Sequence, residues 1–174
     1  MQKLIPFYRE LDKDEQGFTL LLDKRSEQVY KVEHRKVNQY KFWIAWAFAL
    51  ALLRIIKDVH LSMGNPVNIL IVVILVVISA LVGVRKYKDV YKDIREVYYA
   101  QGLINEYIYI GKNLLKREVI TTVIIFVVFT ILMVLFLINN GLIWLFFALI
   151  CFGTFIYAMC GLPIDRFKLY SQKG

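Results

Sequence analysis

The sequence contains few of the residues from which catalytic and metal-binding sites are usually built. It has only two histidines and two cysteines among its 174 residues. His34 and His60 flank a long apolar stretch, and Cys151 and Cys160 lie together in another, so neither cysteine has an imidazole near it in sequence. No HExxH motif and no zinc-knuckle spacing occurs. The sequence therefore predicts no enzyme, no cofactor and no metal, and the cysteines are interpreted as packing residues.

Charge is absent from two long stretches of the chain. No Asp, Glu, Lys or Arg occurs in residues 59–84 or 119–164, and the whole chain is 59% hydrophobic. Soluble domains average about 45–50% apolar residues. Each stretch exceeds the roughly 20 residues that cross a bilayer as a helix, and neither alternates with the period of a barrel strand. We therefore predict an all-α polytopic membrane protein.

Four segments are apolar enough to be transmembrane helices: residues 42–56, 67–84, 119–138 and 142–162. The last two are separated only by Asn139, Asn140 and Gly141, which are residue types that tolerate the left-handed conformation of a tight turn. The spans therefore divide into a first transmembrane hairpin at 42–84 and a second at 119–162.

Basic residues are distributed very unevenly around these spans. Of the 22 Lys and Arg residues, 20 lie in the first 41 residues, in the 85–118 linker or in the 163–174 tail. Such an excess of basic residues is typical of the cytoplasmic segments of membrane proteins. The distribution predicts that both termini and the linker lie in the cytoplasm. It also accounts for the net charge of +8 without a nucleic-acid partner.

The N-terminal cytoplasmic segment, residues 1–41, has the pattern of a β-hairpin. Apolar and polar residues alternate over 18–22 and again over 28–32, with a polar turn between them. A lone hairpin is only marginally stable in water. We therefore expect it to rest on the membrane surface, on the linker or on a partner.

The cytoplasmic linker begins with the pattern of an amphipathic helix. From Arg85 toward Gly102, apolar residues recur at helical spacing and charged residues lie opposite. This predicts that the second span continues as a helix into the cytoplasm. The stretch 103–110 is ambiguous between helix and strand.

Arg54 is the one ionisable residue well inside a predicted span, and it is a candidate functional residue. A stripe of small residues on the first span leads to it, which favours close helix packing. We predict that Arg54 faces the other helices and bonds to Asp58, Asn68 or Asn139. The alternative is that Arg54 reaches the outer surface and simply ends a short span.

A second candidate site is the basic start of the linker. Its residues could bind anionic lipid headgroups or a cytoplasmic partner, or they could serve only to fix topology. They are Arg85, Lys86, Lys88, Lys92 and Arg95.

The order of these parts resembles a known family. A hairpin (FTLLLDKRSEQVYKV), paired spans, a linker ending GKNLLKREVI and further spans are similar to the tandem five-transmembrane proteins of Gram-positive bacteria, over residues 18–138. That family has five spans, whereas four are predicted in this chain. The resemblance implies an immunity protein that protects the membrane from a secreted antibacterial toxin or bacteriocin. It carries over no functional residue.

The resulting prediction is a non-enzymatic membrane protein of immunity type, whose partners are the lipid bilayer and a toxin protein. The alternative is a small transporter, a channel-like subunit or an accessory subunit of a membrane complex, in which homo-oligomerisation could supply the pathway. A transporter is expected to have ionisable residues in several spans, whereas in this chain only Arg54 lies within a predicted span. A membrane-associated enzyme is the least favoured reading.

Overall fold

The computed structural model describes residues 4–10, 17–23, 26, 28–34, 39–56, 58–61, 63–91, 94–99 and 101–173. The strands are β1 (Leu4–Glu10), β2 (Phe18–Asp23), β3 (Val29–Glu33) and β4 (Ile94–Val97). The helices are α1 (Gln39–Ile56), α2 (Pro66–Val90), α3 (Gln101–Asn139), α4 (Leu142–Cys160) and α5 (Ile164–Lys173). As the sequence predicts, α1 to α4 are long and apolar enough to cross a membrane.

The chain divides into two compact units. Unit 1 is drawn from Met1–Lys36, Arg85–Thr122 and Tyr157–Gly174. Unit 2 is drawn from Val37–Val84 and Val123–Ile156. The helices α2, α3 and α4 therefore contribute their apolar stretches to unit 2 and their more polar ends to unit 1.

Unit 1 contains an antiparallel sheet in which each strand pairs with the next along the chain, in the order β1-β2-β3-β4. The β2–β3 pair is the predicted hairpin, with Leu20 opposite Lys31. The hairpin prediction is therefore confirmed, and the sheet extends it with one more strand on each side. Because a two-stranded hairpin is marginal by itself, β1 and β4 give it the partners it needs.

The first part of the linker differs from the sequence prediction. The helix α2 ends at Val90, and Ile94–Val97 pairs with β3, so the amphipathic helix predicted to reach Gly102 is wrong over β4. The spacing of apolar residues over Ile94–Val97 also fits a short strand. The edge of β3 offers these residues backbone hydrogen bonds, and this favours the strand over the helix. The ambiguous stretch 103–110 is helical and belongs to α3.

The core of unit 1 is formed by the sheet, α3 and α5. Its buried members are Phe7, Leu20, Leu22, Val29, Ile108, Leu115, Leu169 and Tyr170. Gly111 of α3 lets these elements meet, since a Cβ there would overlap the Phe7 carbonyl oxygen and the Tyr170 hydroxyl. The Tyr170 hydroxyl donates a hydrogen bond to that same carbonyl. The positions of β1, α3 and α5 are therefore fixed together at this point.

Unit 2 contains the tight helical hairpin predicted between the last two spans. The helix α3 ends at Asn139 and α4 begins at Leu142. Asn140 between them has a φ of 52°, in the left-handed region that Asn tolerates better than most residues. The amide of Leu61 donates to the Asn140 carbonyl oxygen, and the amide of Leu142 donates to that of Val59. The turn prediction is confirmed.

The helices α2 and α4 approach each other closely within unit 2. The Ser79 hydroxyl donates to the Leu149 carbonyl oxygen at 2.6 Å. A Cβ added to Gly83 would lie 2.5 Å from the Gly153 carbonyl oxygen. Helices in lipid associate mainly through such small residues, because burial from water supplies no driving force between them. Gly153 of α4 is therefore a point of close contact with α2.

Candidate functional site

A cavity of about 500 Å³ lies within unit 1. Its walls come from β1 and β2 and from the unit 1 parts of α2, α3 and α4, and Arg166 of α5 also lines it. Sites that bind small molecules generally have volumes of about 300–1,000 Å³ and combine an apolar wall with a few polar groups. The cavity is therefore large enough to hold a small ligand.

Tyrosine rings form much of the apolar wall. Tyr87 and Tyr91 are four residues apart, so the helical turn between them brings their ring centroids to 4.8 Å. Tyr157 of α4 meets Tyr87 edge to face, with centroids 6.1 Å apart. Burial raises the pKa of Tyr91 above its ordinary value. Its hydroxyl therefore stays protonated at neutral pH and can donate a hydrogen bond.

Arg166 forms a buried ion pair at the edge of the cavity. It lies in the first turn of α5, and its Nη1 is 2.5 Å from Oε2 of Glu118 on α3. The same nitrogen donates to the Gly161 carbonyl oxygen, just beyond the end of α4, at 3.1 Å. Burial alone would lower the pKa of this guanidinium, but Glu118 and Tyr170 reverse the effect and leave the pKa raised. Arg166 is thus a permanently charged link between α3, α4 and α5.

Arg9 brings a second guanidinium to the cavity from β1. Its Nη2 donates to the Tyr157 hydroxyl at 3.3 Å. The Nε atoms of Arg9 and Arg166 are both buried, and neither makes a hydrogen bond within the described part of the chain. Buried N–H groups without an acceptor are rare in folded proteins. Because both arginines line the cavity, their guanidinium groups form its polar side.

A threonine and a histidine meet across the β2–β3 pair. Thr19 lines the cavity and is 2% exposed, and its Oγ1 lies 2.8 Å from His34 Nε2. Burial, and then the charge of Arg9, lower the pKa of His34. The imidazole is therefore neutral near pH 7, and its Nε2 can accept a hydrogen bond from the Thr19 hydroxyl. Because the His34 amide also donates to the Gly17 carbonyl oxygen, the contact extends the β2–β3 ladder.

The predicted Arg54 site lies in unit 2, and none of its residues lines the cavity. Arg54 is in the last turn of α1, and its side chain is exposed. Asn139 donates its side-chain amide to the Leu135 carbonyl oxygen of its own helix. The bonding of Arg54 to Asp58, Asn68 or Asn139 stays a prediction.

The predicted basic surface also lies apart from the cavity. Arg85, Lys86 and Lys88 are exposed on α2, and Arg95 is exposed on β4. Lys92 lies outside the described residues. None of the four that are described lines the cavity. Its basic residues are instead Arg9, Arg117 and Arg166, which sequence reasoning used only to count charge.

The described residues contain no disulfide and no cluster of metal-binding side chains. Cys151 and Cys160 are free thiols, as their interpretation as packing residues requires. Within the described ranges, no cluster of three or more His, Cys, Asp or Glu side chains could hold a metal ion.

No protein-family model matches this chain, and no curated protein and no solved structure is significantly similar to it. The resemblance to the tandem five-transmembrane family therefore stays a prediction. Function is accordingly inferred from the geometry of the two units and from the charge distribution.

Proposed function

We propose that this chain is a non-enzymatic integral protein of a bacterial cytoplasmic membrane and that it protects this membrane from a secreted antibacterial toxin or bacteriocin. It does so by occupying the membrane and contacting the toxin there. The observation that carries the proposal is how the polar side chains of unit 2 are bonded.

Four polar side chains in the apolar helices of unit 2 donate to backbone carbonyl oxygens. Thr130, Asn139 and Thr154 each donate to the carbonyl oxygen four residues earlier in the same helix. Ser79 donates to a carbonyl oxygen of α4. Such bonds satisfy polar groups where no water can, and they leave few donors for a passing solute.

The surface that remains on these helices is aliphatic and aromatic. Exposed side chains along α2 and α3 include Leu70, Ile74, Val127 and Leu137, each about half exposed. This surface suits contact with lipid or with an apolar segment of another membrane protein. Among the described residues it offers no row of ionisable groups that could line a solute path, which supports occupancy over transport by a single chain.

The charge distribution supports an orientation in which both termini and the linker lie in the cytoplasm. Unit 1 is assembled from parts of the N-terminal segment, the linker and the tail, the same three segments that hold 20 of the 22 Lys and Arg residues. Segments that fold together must lie on one side of a membrane. The excess of basic residues favours the cytoplasmic side.

Reporter fusions test this orientation. A reporter that is active only in the cytoplasm should be active after Lys173 and inactive at Gly64, which is exposed between α1 and α2. A reporter that works only outside the cytoplasm should give the opposite pair of results and serves as the control. Cytoplasmic activity at Gly64 would contradict the orientation.

Toxin challenge tests the protective role. Cells lacking this chain should become at least about tenfold more sensitive to one secreted toxin of the same organism, and expression of the chain should restore survival while the toxin stays intact by mass. A tenfold change corresponds to about 1.4 kcal/mol of binding free energy, which a few membrane contacts can supply. Unchanged toxin sensitivity together with altered solute uptake would instead favour a transport or accessory subunit.

A further inference from the structure

The cavity of unit 1 is lined by three arginines, two of which have a buried donor without an acceptor among the described residues. Arg9 and Arg166 each keep a buried Nε–H without a partner in the described chain. Arg117 adds a third guanidinium to the lining, whereas Glu10 and Glu118 are its carboxylates. Because Arg166 already holds Glu118, the remaining groups leave an excess of positive charge.

This arrangement requires a ligand with several acceptor oxygens. The two unpartnered donors come from different elements, β1 and α5. A carboxylate has two oxygens, and a guanidinium fork tends to use both. A phosphate has more oxygens and can accept from two guanidinium groups at once, which is why arginine pairs so often with phosphate.

The rest of the cavity indicates what the phosphate is attached to. Tyr87, Tyr91 and Tyr157 present rings, and Leu114 and Ala158 add aliphatic surface. A bare inorganic phosphate would leave this wall uncovered. A phosphate ester would place its organic substituent against the rings and its charge on the arginines.

We propose that the unit 1 cavity binds a phosphate ester, with the phosphate held by Arg9 and Arg166 and the organic substituent packed against the tyrosine rings. Two sources carry this chemistry: the headgroup of an anionic phospholipid and a soluble phosphate ester. The walls from α2, α3 and α4 are the polar ends of helices whose apolar stretches are candidate spans. The lipid source is therefore tested beside the soluble one.

Binding to the purified full chain in neutral detergent tests the proposal. One arm uses glycerol 3-phosphate at constant ionic strength, and the other uses short-chain phosphatidylglycerol, with phosphatidylcholine of the same chain length as its reference. Saturable binding is expected in at least one arm. Binding in the phosphatidylglycerol arm alone identifies a lipid headgroup, and comparable binding in both arms identifies the phosphate ester itself as the ligand.

Arg9→Gln is the decisive variant. Loss of a charge-assisted contact should weaken phosphate-ester binding by about 10- to 100-fold. Lys168→Gln is the matched control, because it removes one positive charge from an exposed residue of unit 1 that does not line the cavity. Tyr157→Phe, which removes the hydroxyl that accepts from Arg9, gives a second test that keeps every charge.

Three results would overturn the proposal. The first is an absence of saturable binding to both probes. The second is an equal loss of binding in Arg9→Gln and Lys168→Gln, since this would show diffuse attraction between charges. The third is binding of acetate as tight as that of the phosphate esters. If Arg9→Gln does not fold, Tyr157→Phe and Lys168→Gln still decide between a built site and diffuse charge.

Discussion

Gly83→Ala is expected to destabilise the protein by at least about 1–3 kcal/mol, the usual range for an overpacked contact. The new methyl carbon would lie 2.5 Å from the Gly153 carbonyl oxygen and 3.2 Å from Ile156 Cβ. The first of these neighbours is backbone, which has no alternative rotamer. Relief therefore requires α2 and α4 to separate, which would also stretch the Ser79 hydrogen bond to Leu149. The free energy of unfolding in detergent measures the effect.

Gly102→Ala is the matched control for this prediction. It makes the same chemical change in a helix, but a Cβ on Gly102 has nothing within 4 Å. Replacing Gly by Ala inside a helix normally favours folding by about 1 kcal/mol, so neither variant should lose stability through helix propensity. The difference between them therefore isolates the α2–α4 contact. Equal stability of the two variants would show that this contact does not hold the helices together.

Arg166→Met is the second change with a large expected effect. The side chains of Arg166 and Glu118 are 4% and 27% exposed, so removal of the guanidinium leaves a carboxylate that is mostly buried and unpaired. Breaking a buried ion pair in this way costs about 3–5 kcal/mol, with the lower part of the range fitting a partly exposed Glu118. The Gly161 carbonyl oxygen also loses its donor near the end of α4. We expect a much lower unfolding temperature for the full chain.

Two further variants separate the ion pair from other effects. Lys168→Met removes an exposed positive charge from the same helix and should change stability little. The double variant Arg166→Met with Glu118→Met removes both charges and should regain part of the lost stability, because no buried charge is left alone. A double variant less stable than Arg166→Met would contradict an unpaired Glu118 as the cause of the loss.

Much of the backbone architecture could be predicted from short stretches of sequence. The apolar helices follow from composition, because only a helix satisfies its backbone hydrogen bonds within a single long apolar segment. The turn at Asn140 and the β2–β3 hairpin follow from turn residues and from alternation. The helix predicted over Ile94–Val97 was wrong. The pattern of these residues fits a helix and a strand equally well, and they pair with the free edge of β3.

The cavity could not be predicted in the same way. Arg9, Glu118, Tyr157 and Arg166 come from four separate elements, and no local spacing joins them. Each has an ordinary local explanation: a charged residue of a polar segment, or a tyrosine near the end of a helix. The candidate that sequence reasoning preferred, Arg54, stood out because a charge inside an apolar run is locally unusual. Arg54 is exposed at the end of α1.

The apolar helices, the tight turn between α3 and α4 and the central hairpin can be predicted from the sequence, because they depend on residues close together in the chain. Three features became evident only in the folded chain: β4 completes the sheet, Gly83 meets Gly153, and three arginines line one cavity. These features depend on which faces of distant segments pack together. The energy of such packing is determined by complementary shape and charge across segments, which no single stretch of sequence contains.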